Sequence, residues 1–134
     1  EGQAMRLQIG DLAKATGTKV PTIRYYEEIG LLPPPDRSTG NYRIYGEAHL
    51  HRLTFVRRCR GLGLRLEQIR DLLGLADNKE RPCSAVEAIV REHRATIEQK
   101  IIELQELDRE LARVIDQCGQ GTIITCGILK ALAP

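Results

Sequence analysis

The chain has 134 residues, of which 28% are charged and 4% are aromatic, with no tryptophan and one phenylalanine. This length suits one domain, or a small domain with an oligomerisation element, and the scarcity of aromatic residues argues against a large aromatic core. No segment approaches the roughly 18 apolar residues of a membrane span, and no secretory signal is visible. We therefore expect a cytoplasmic protein with reduced cysteines and no membrane partner.

The net charge of +2 is unevenly distributed along the chain. Residues 1–75 contain 12 Lys or Arg against 8 Asp or Glu, whereas residues 76–134 contain 8 against 10. A basic front half and an acidic rear half indicate an end that faces nucleic acid and a separate helical end.

Two short helices are predicted at the start of the chain. A helical pattern begins at Gln8 and is broken at Gly17, and a second one runs from about Pro21 to Gly30. Two short helices joined by a glycine-containing turn are typical of a helix-turn-helix, although other small helical domains share this pattern.

The next segment predicts a small β-wing followed by two more helices. Residues 33–35 are three prolines, residues 38–41 form a turn cluster, and residues 42–45 alternate and favour a strand. Helical spacing then predicts a third helix over residues 47–60 and a fourth over residues 66–73.

A long helix is predicted over residues 84–117, after a polar linker at residues 76–83. Its length is about 50 Å at 1.5 Å per residue. Apolar side chains follow alternating steps of three and four along it, which predicts a coiled coil. The positions of this row are Val90, His93, Ile97, Leu104, Leu107, Leu111 and Val114, with Lys100 at one further position.

Three of the four cysteines lie at the ends of this helix. Cys83 precedes it, Cys118 closes it, and Cys126 follows across a loop that contains glycine. One chain can hardly bring Cys83 to Cys118, whereas two antiparallel chains place the start of one helix beside the end of the other. Thiolates favour soft metal ions, so the pattern predicts a three-thiolate pocket at each end of a dimer that senses such an ion.

The remaining cysteine and the histidines receive structural interpretations. Cys59 lies in the middle of the third helix and is predicted to pack in the core. His93 falls on the coiled-coil row, which favours interfacial packing over ligation. His49 and His51 are expected at the surface.

Several motifs in chain order resemble the MerR family of bacterial transcription regulators. They are Thr22-Ile23-Arg24-Tyr25-Tyr26-Glu27, Gly30-Leu31-Leu32-Pro33, Arg37, Asn41-Tyr42-Arg43, Tyr45, Arg57-Arg58-Cys59-Arg60 and Cys126-Gly127-Ile128-Leu129. The ending is most similar to the cadmium and lead regulators. The resemblance implies a mainly α fold with a winged helix-turn-helix DNA-binding domain (residues 5–75) and a long antiparallel coiled-coil dimerisation helix. A metal-binding loop and a short C-terminal helix would then occupy residues 118–134.

The resemblance also implies a mode of action on double-stranded promoter DNA. The second helix would enter the major groove and the wing would contact the backbone of an operator inside an overlong promoter spacer. Metal binding at the ends of the homodimer would distort the DNA until RNA polymerase engages both promoter elements. Much of the selectivity is expected to come from DNA shape. The expected DNA-binding residues are Thr22, Arg24, Tyr25, Tyr26, Arg37, Asn41, Tyr42, Arg43 and Arg60, with core packing as the alternative for Tyr26.

The same resemblance makes Cys83, Cys118 and Cys126 the metal ligands, with Cys83 donated by the other subunit. Monovalent copper or gold sensors of the family have serine at the position of Cys83, which favours a divalent ion here. Zinc sensors tend to have a doubled cysteine and a loop histidine, and mercury regulators typically have proline at the position of Gly127. We therefore expect Cd²⁺ or Pb²⁺ first, Hg²⁺ second and Zn²⁺ third.

Two other functions use the same thiols. A redox sensor would form a disulfide between Cys118 and Cys126 and would need no metal. A thiol enzyme would need a histidine or carboxylate to orient a nucleophilic cysteine, and neither is directly adjacent to Cys118 or Cys126 in the sequence. No catalytic residue is therefore predicted, and the chain is not expected to be an enzyme.

Overall fold

A computed structural model describes residues 5–119 and 121–133. Gln120 in the predicted metal loop and Pro134 at the end of the predicted final segment lie outside the described residues. The chain divides into two compact units between Pro82 and Cys83. None of the helices in the described ranges is long and apolar enough to cross a membrane.

Helices dominate both units, as the sequence predicts. The first unit contains α1 (Ile9–Thr16), α2 (Val20–Glu28), β1 (Asp36–Arg37), β2 (Arg43–Ile44), α3 (Glu47–Gly61) and α4 (Leu66–Ala76). The second contains α5 (Cys83–Asp116), a short 3₁₀ helix (Ile123–Thr125) and α6 (Gly127–Leu132). The two strands pair antiparallel and form the predicted wing.

The predicted linker is shorter in the structure than in the sequence interpretation. Helix α4 continues to Ala76, and α5 begins at Cys83 and ends at Asp116. The non-helical connection therefore covers only residues 77–82. The backbone amide of Asp77 still donates to the carbonyl of Leu73 at 3.0 Å, so the helical hydrogen bonding of α4 extends beyond the residue where its apolar spacing ends.

Three helices of the first unit begin with the same capping hydrogen bond. The side chain of the third helical residue turns back and accepts a hydrogen bond from the backbone amide just before the helix, which satisfies a donor that the helix leaves unpaired. The pairs are Gln8 with Asp11 at 3.3 Å, Gly46 with His49 at 3.0 Å, and Arg65 with Gln68 at 2.9 Å.

The core of the first unit draws on all four of its helices and on the segment that follows α2. Its buried apolar residues are Leu12, Ile23, Tyr26, Leu31, Leu32, Tyr45, Leu53, Val56, Cys59, Leu64, Ile69, Leu72 and Leu73. Burial raises the pKa of the Cys59 thiol, which disfavours the thiolate that binds metal. The prediction that Cys59 is a packing residue is confirmed.

Helix α5 has a different character, because it contains no buried residue in the single chain. Apolar side chains remain exposed along most of its length, among them Leu104 at 64% and Leu107 and Leu111 at 60% each. A row of this kind needs a partner surface to leave water.

His49, which the sequence predicts at the surface, is only partly exposed. It is half-buried, its Nδ1 accepts from the amide of Gly46, and its Nε2 lies 3.1 Å from the carbonyl oxygen of Pro33. Its ring also meets that of Tyr45 edge to face at 5.2 Å. Since Nδ1 accepts, Nε2 carries the proton and donates to Pro33. The histidine therefore joins the start of α3 to the triple-proline segment.

Replacing His49 with leucine should lower the free energy of unfolding by about 1–2 kcal/mol, because the start of α3 loses its hydrogen-bond acceptor. The measurement is urea unfolding followed by circular dichroism. His51→Leu is the matched control, since His51 is exposed and its Nε2 lies 3.6 Å from the carboxylate of Glu47 at the surface of the same helix. Its effect should stay within about 0.5 kcal/mol. Equal losses from the two variants would contradict the capping role.

Candidate nucleic-acid interface and metal centre

An open groove of about 560 Å³ lies between the start of α1, helix α2 and the wing. Three of its lining residues are arginines and the other four carry no charge. The lining residues are Gln8, Ile9, Arg24, Arg37, Asn41, Tyr42 and Arg43. The fold thus gathers five of the nine predicted DNA-binding residues around one positively charged groove, which suits phosphate groups.

Hydrogen bonds across the turn give the wing its shape. The amide of Ser38 donates to the carbonyl of Tyr42 at 2.8 Å, and the amide of Tyr42 donates to the hydroxyl of Ser38 at 3.1 Å. Asn41 has a φ of 64°, in the left-handed region that asparagine tolerates better than most residues. Arg37 donates to the Asn41 carbonyl at 3.2 Å, so it braces the turn from the opposite strand.

Helix α2 packs one face against the core and exposes another face to solvent. Ile23 and Tyr26 are buried, whereas Arg24 and Tyr25 are exposed. The exposed fraction of Tyr26 is only 8%. The prediction that Tyr26 contacts DNA is therefore corrected, because the inward face of α2 commits its ring to packing.

The remaining two predicted DNA contacts lie outside the groove lining. Thr22 is half-buried on α2, and Arg60 near the end of α3 is exposed and donates to the carbonyl of Leu64 at 3.1 Å. Gln8 and Ile9 line the groove although sequence reasoning did not select them. Their place follows from backbone pairing of the preceding residue with the wing, for which the local sequence carries no signal.

A carboxylate on α2 joins that helix to the wing. Tyr45 is fully buried, and its hydroxyl donates to Oε1 of Glu27. Arg43 Nη1 lies 3.7 Å from Oε2 of the same carboxylate. Burial, followed by the hydrogen bond and negative charge of Glu27, raises the pKa of Tyr45 to about 12. Tyr45 also exchanges two backbone hydrogen bonds of 2.8 Å with Leu7, which attaches the N-terminal segment to the wing.

The three predicted metal ligands are separated by α5. Cys83 is the first residue of this helix, whereas Cys118 and Cys126 follow its end. A helix of 34 residues is about 50 Å long. Within the described part of this single chain, no three His, Cys, Asp or Glu side chains come together in a group that could hold a metal.

The two cysteines after α5 flank a close backbone contact. A Cβ added at Gly127 would overlap the carbonyl oxygen of Gln117, so the first residue of α6 lies directly on the end of α5. Gln117 precedes Cys118 and Gly127 follows Cys126, which means that the loop begins and ends at one place. Sequence reasoning assigned Gly127 to the family pattern and did not foresee this contact.

The loop between these cysteines exposes apolar side chains. Ile123 and Ile124 have exposed fractions of 76% and 89%. They belong to the 3₁₀ helix, where the amide of Cys126 donates to the carbonyl of Ile123 at 3.2 Å. Cys118 is exposed and Cys126 is half-buried, so both thiols remain accessible.

Comparisons with known proteins identify the family. The sequence profile described as MerR HTH family regulatory protein matches residues 7–75, and that described as MerR, DNA binding matches residues 50–114. This chain belongs to the MerR family. Membership makes it a helix-turn-helix transcription regulator and not an enzyme, as the sequence predicts.

Similar MerR-family proteins include regulators that respond to or bind heavy metals. Heavy metal-dependent transcription regulator 2 of Rhizobium meliloti (strain 1021) is 40% identical over 127 residues, covering 95% of this chain and 86% of that protein. The transcription regulator PbrR691 from Ralstonia metallidurans CH34, solved with lead(II), is 46% identical with a TM-score of 0.86, covering 95% and 99% of the two chains. The regulator MerR of Bacillus megaterium MB1, solved with mercury(II), is 31% identical with a TM-score of 0.74, covering 94% and 98%.

The raised pKa of Tyr45 predicts a loss of stability in alkaline solution. Below a pH of about 10, the ordinary pKa of tyrosine, folded and unfolded Tyr45 are both protonated and its contribution is complete. As the pH rises from about 10 to about 12, the unfolded chain loses this proton first, so the free energy of unfolding falls by roughly 2 kcal/mol.

Urea unfolding at several pH values, with reductant present, measures this effect. Tyr45→Phe lacks the proton and should show a shallower decline over the same interval, although it is less stable at neutral pH. Identical pH slopes for the wild type and the variant would contradict the assignment.

Proposed function

We propose that this protein is a homodimeric regulator that binds promoter DNA and activates transcription when a divalent soft metal ion binds. Cd²⁺ and Pb²⁺ are the first candidates, with Hg²⁺ and Zn²⁺ as alternatives. The observation that carries the proposal is the placement of accessible cysteines at opposite ends of an unburied apolar helix. The regulated genes would confer metal resistance, for example by efflux.

The proposed dimer follows from the exposed apolar row on α5. At about 25 cal/mol per Å² of apolar surface removed from water, an antiparallel partner that covers this row contributes a large stabilisation. The antiparallel arrangement also places the start of one α5 beside the end of the other. Cys83 of one subunit then approaches Cys118 and Cys126 of its partner, and each end of the dimer gains a complete set of three thiolates.

The chemistry of this donor set fits soft and borderline ions. Thiolate sulfur selects Cd²⁺, Pb²⁺, Hg²⁺ and Zn²⁺ over hard ions such as Mg²⁺ or Ca²⁺. Cys83 is the first residue of α5 and is exposed, so its sulfur is accessible to a metal ion. The lead and mercury complexes of similar regulators support a heavy-metal effector, and the sequence pattern favours cadmium or lead within that group.

The proposed DNA contacts centre on the groove between α2 and the wing. Arg24, Arg37 and Arg43 bind backbone phosphates, Tyr25, Asn41 and Tyr42 add polar contacts, and selectivity arises largely from DNA shape. Metal binding stabilises a dimer conformation in which the bound promoter is bent and untwisted for RNA polymerase. The size of the response equals the difference in metal affinity between the activating and repressing conformations.

Replacing Cys83 with serine should abolish the thiolate-to-metal absorption in Pb²⁺ and Cd²⁺ titrations, because each site loses the ligand from the second subunit. Binding to a duplex that the wild type selects from a random-sequence pool should stay within about twofold. Cys59→Ala is the matched control, since it removes a buried thiol outside the ligand set and should keep the metal signal.

A mixing experiment tests whether the site is shared between subunits. Cys83→Ser and the double variant Cys118→Ser/Cys126→Ser should each lack the signal, and refolding them together should restore roughly a quarter of it. Half of the dimers are then mixed, and each mixed dimer has one complete site. No recovery on mixing, or a wild-type signal from Cys83→Ser alone, would refute the shared site. A response to mild oxidant that needs no metal would favour the redox sensor instead.

Replacing Gly127 with alanine should weaken Pb²⁺ binding by about tenfold or more, equivalent to ~1.4 kcal/mol, while DNA binding stays within about twofold. The added Cβ cannot coexist with the Gln117 carbonyl oxygen, so the loop that holds Cys118 and Cys126 must open. Competitive metal titration measures the change. Gly119→Ala is the control in the same loop, because a Cβ there meets no atom within 4 Å. Equal metal affinities for the two variants would show that loop closure does not matter.

A further inference from the structure

Glu27 occupies an unusual position for a carboxylate, between the second helix and the wing. Its side chain is only 12% exposed. One oxygen accepts the hydrogen bond from buried Tyr45, and the other faces Arg43 at 3.7 Å. Arg43 belongs to β2, and Tyr45 follows directly after that strand. A single side chain of α2 therefore contacts both Arg43, which lines the groove, and Tyr45, which is buried two residues further along the chain.

A carboxylate that is withdrawn from water to this extent is costly unless its partners compensate for the lost hydration. Tyr45 supplies one neutral hydrogen bond, and Arg43 supplies the opposite charge. At 3.7 Å the contact with Arg43 is electrostatic and longer than a hydrogen bond. The guanidinium group, which has five N–H donors, therefore keeps donors free while it lines the groove.

We propose that Glu27 is a positioning residue for DNA binding, which aims the Arg43 guanidinium at a backbone phosphate. This inference rests on the proposed function of the groove. Two segments distant in sequence, α2 with Arg24 and the wing with Arg43, present their charges in one fixed spacing because Glu27 joins them. Glu27 itself contacts no DNA.

The direction in which one substitution changes the DNA affinity separates this positioning role from simple charge repulsion. Glu27→Gln removes a negative charge near phosphates, so Coulomb repulsion alone predicts tighter DNA binding. The positioning role predicts weaker binding, by about five- to tenfold to the selected duplex. It also predicts a shallower dependence of log K on log[salt], by about 0.9, because one phosphate contact is lost.

Double variants and a structural control complete the test, measured by fluorescence anisotropy on the full-length protein. Arg43→Ala should weaken binding about tenfold, and adding Glu27→Gln should change it by less than about twofold, because both act on one contact. Adding Glu27→Gln to Arg24→Ala should instead lower the DNA affinity by the product of the two single-variant factors, because the two residues act on different contacts. Tyr45→Phe keeps the carboxylate beside Arg43, so its affinity and salt slope should match the wild type despite reduced thermal stability.

The outcomes distinguish failure of this inference from failure of the proposed function. If Arg24→Ala and Arg43→Ala both leave the affinity unchanged, the groove is not the DNA-binding face and both proposals fall. If these two variants weaken binding and Glu27→Gln does not, only the positioning role is overturned. A Tyr45→Phe variant that reproduces the effect of Glu27→Gln on the salt slope would also overturn it, because the effect would then follow from the fold alone.

Discussion

The rigid length of α5 is the constraint on which the rest of the proposed mechanism depends. An uninterrupted helix of 34 residues holds Cys83 about 50 Å from the end that carries Cys118 and Cys126. The same helix leaves its apolar row in water along most of this distance. A second, antiparallel copy of the chain would account for two independent features together. It would bring the separated thiols to one place, and it would cover the exposed apolar row. Either feature alone would be weak support, because helices often expose apolar residues and isolated cysteines are often inert.

The first unit solves a different physical problem, the collection of like charges on one surface. Arg24, Arg37 and Arg43 repel one another across the groove before any phosphate arrives. Arg24 belongs to helix α2. Arg37 donates a hydrogen bond to the carbonyl of Asn41 in the wing turn, and Arg43 faces the carboxylate of Glu27. The side-chain contacts of Arg37 and Arg43 restrict these two arginines before binding, which would reduce the side-chain entropy that DNA binding otherwise costs. Preorganised charges would also suit the proposed selection of DNA by shape, since fixed spacings discriminate between duplex geometries.

The sequence was sufficient for the features that depend on periodicity and on turn chemistry. Helical spacing predicted the helices, strand alternation predicted the wing, and the positions of Cys83 and Cys118 predicted their separation. It was insufficient where two adjacent identical residues differ in burial, as with exposed Tyr25 and buried Tyr26. Contacts between distant segments were also missed, because the Leu7 pairing that brings Gln8 to the groove leaves no local pattern. The same holds for the hydrogen bonds of His49, which depend on a carbonyl 16 residues away.

In the proposed function, the loop after α5 would offer a physical basis for discrimination among metals that bind the same three thiolates. Mercury regulators resemble this chain in their cysteines but typically have proline where this chain has Gly127. Proline carries a Cβ, and a Cβ at this position overlaps the Gln117 carbonyl oxygen. A proline at this position therefore cannot be accommodated on the backbone seen here, so the loop would have to take a different path past the end of α5. Since thiolate chemistry alone ranks these ions poorly, the proposed site would depend for its selectivity on the backbone that sets the distance and access of the sulfurs. Ile123 and Ile124 are exposed in the same loop, and the proposed metal-bound state would gain stability if it covered them, because apolar surface would then leave water.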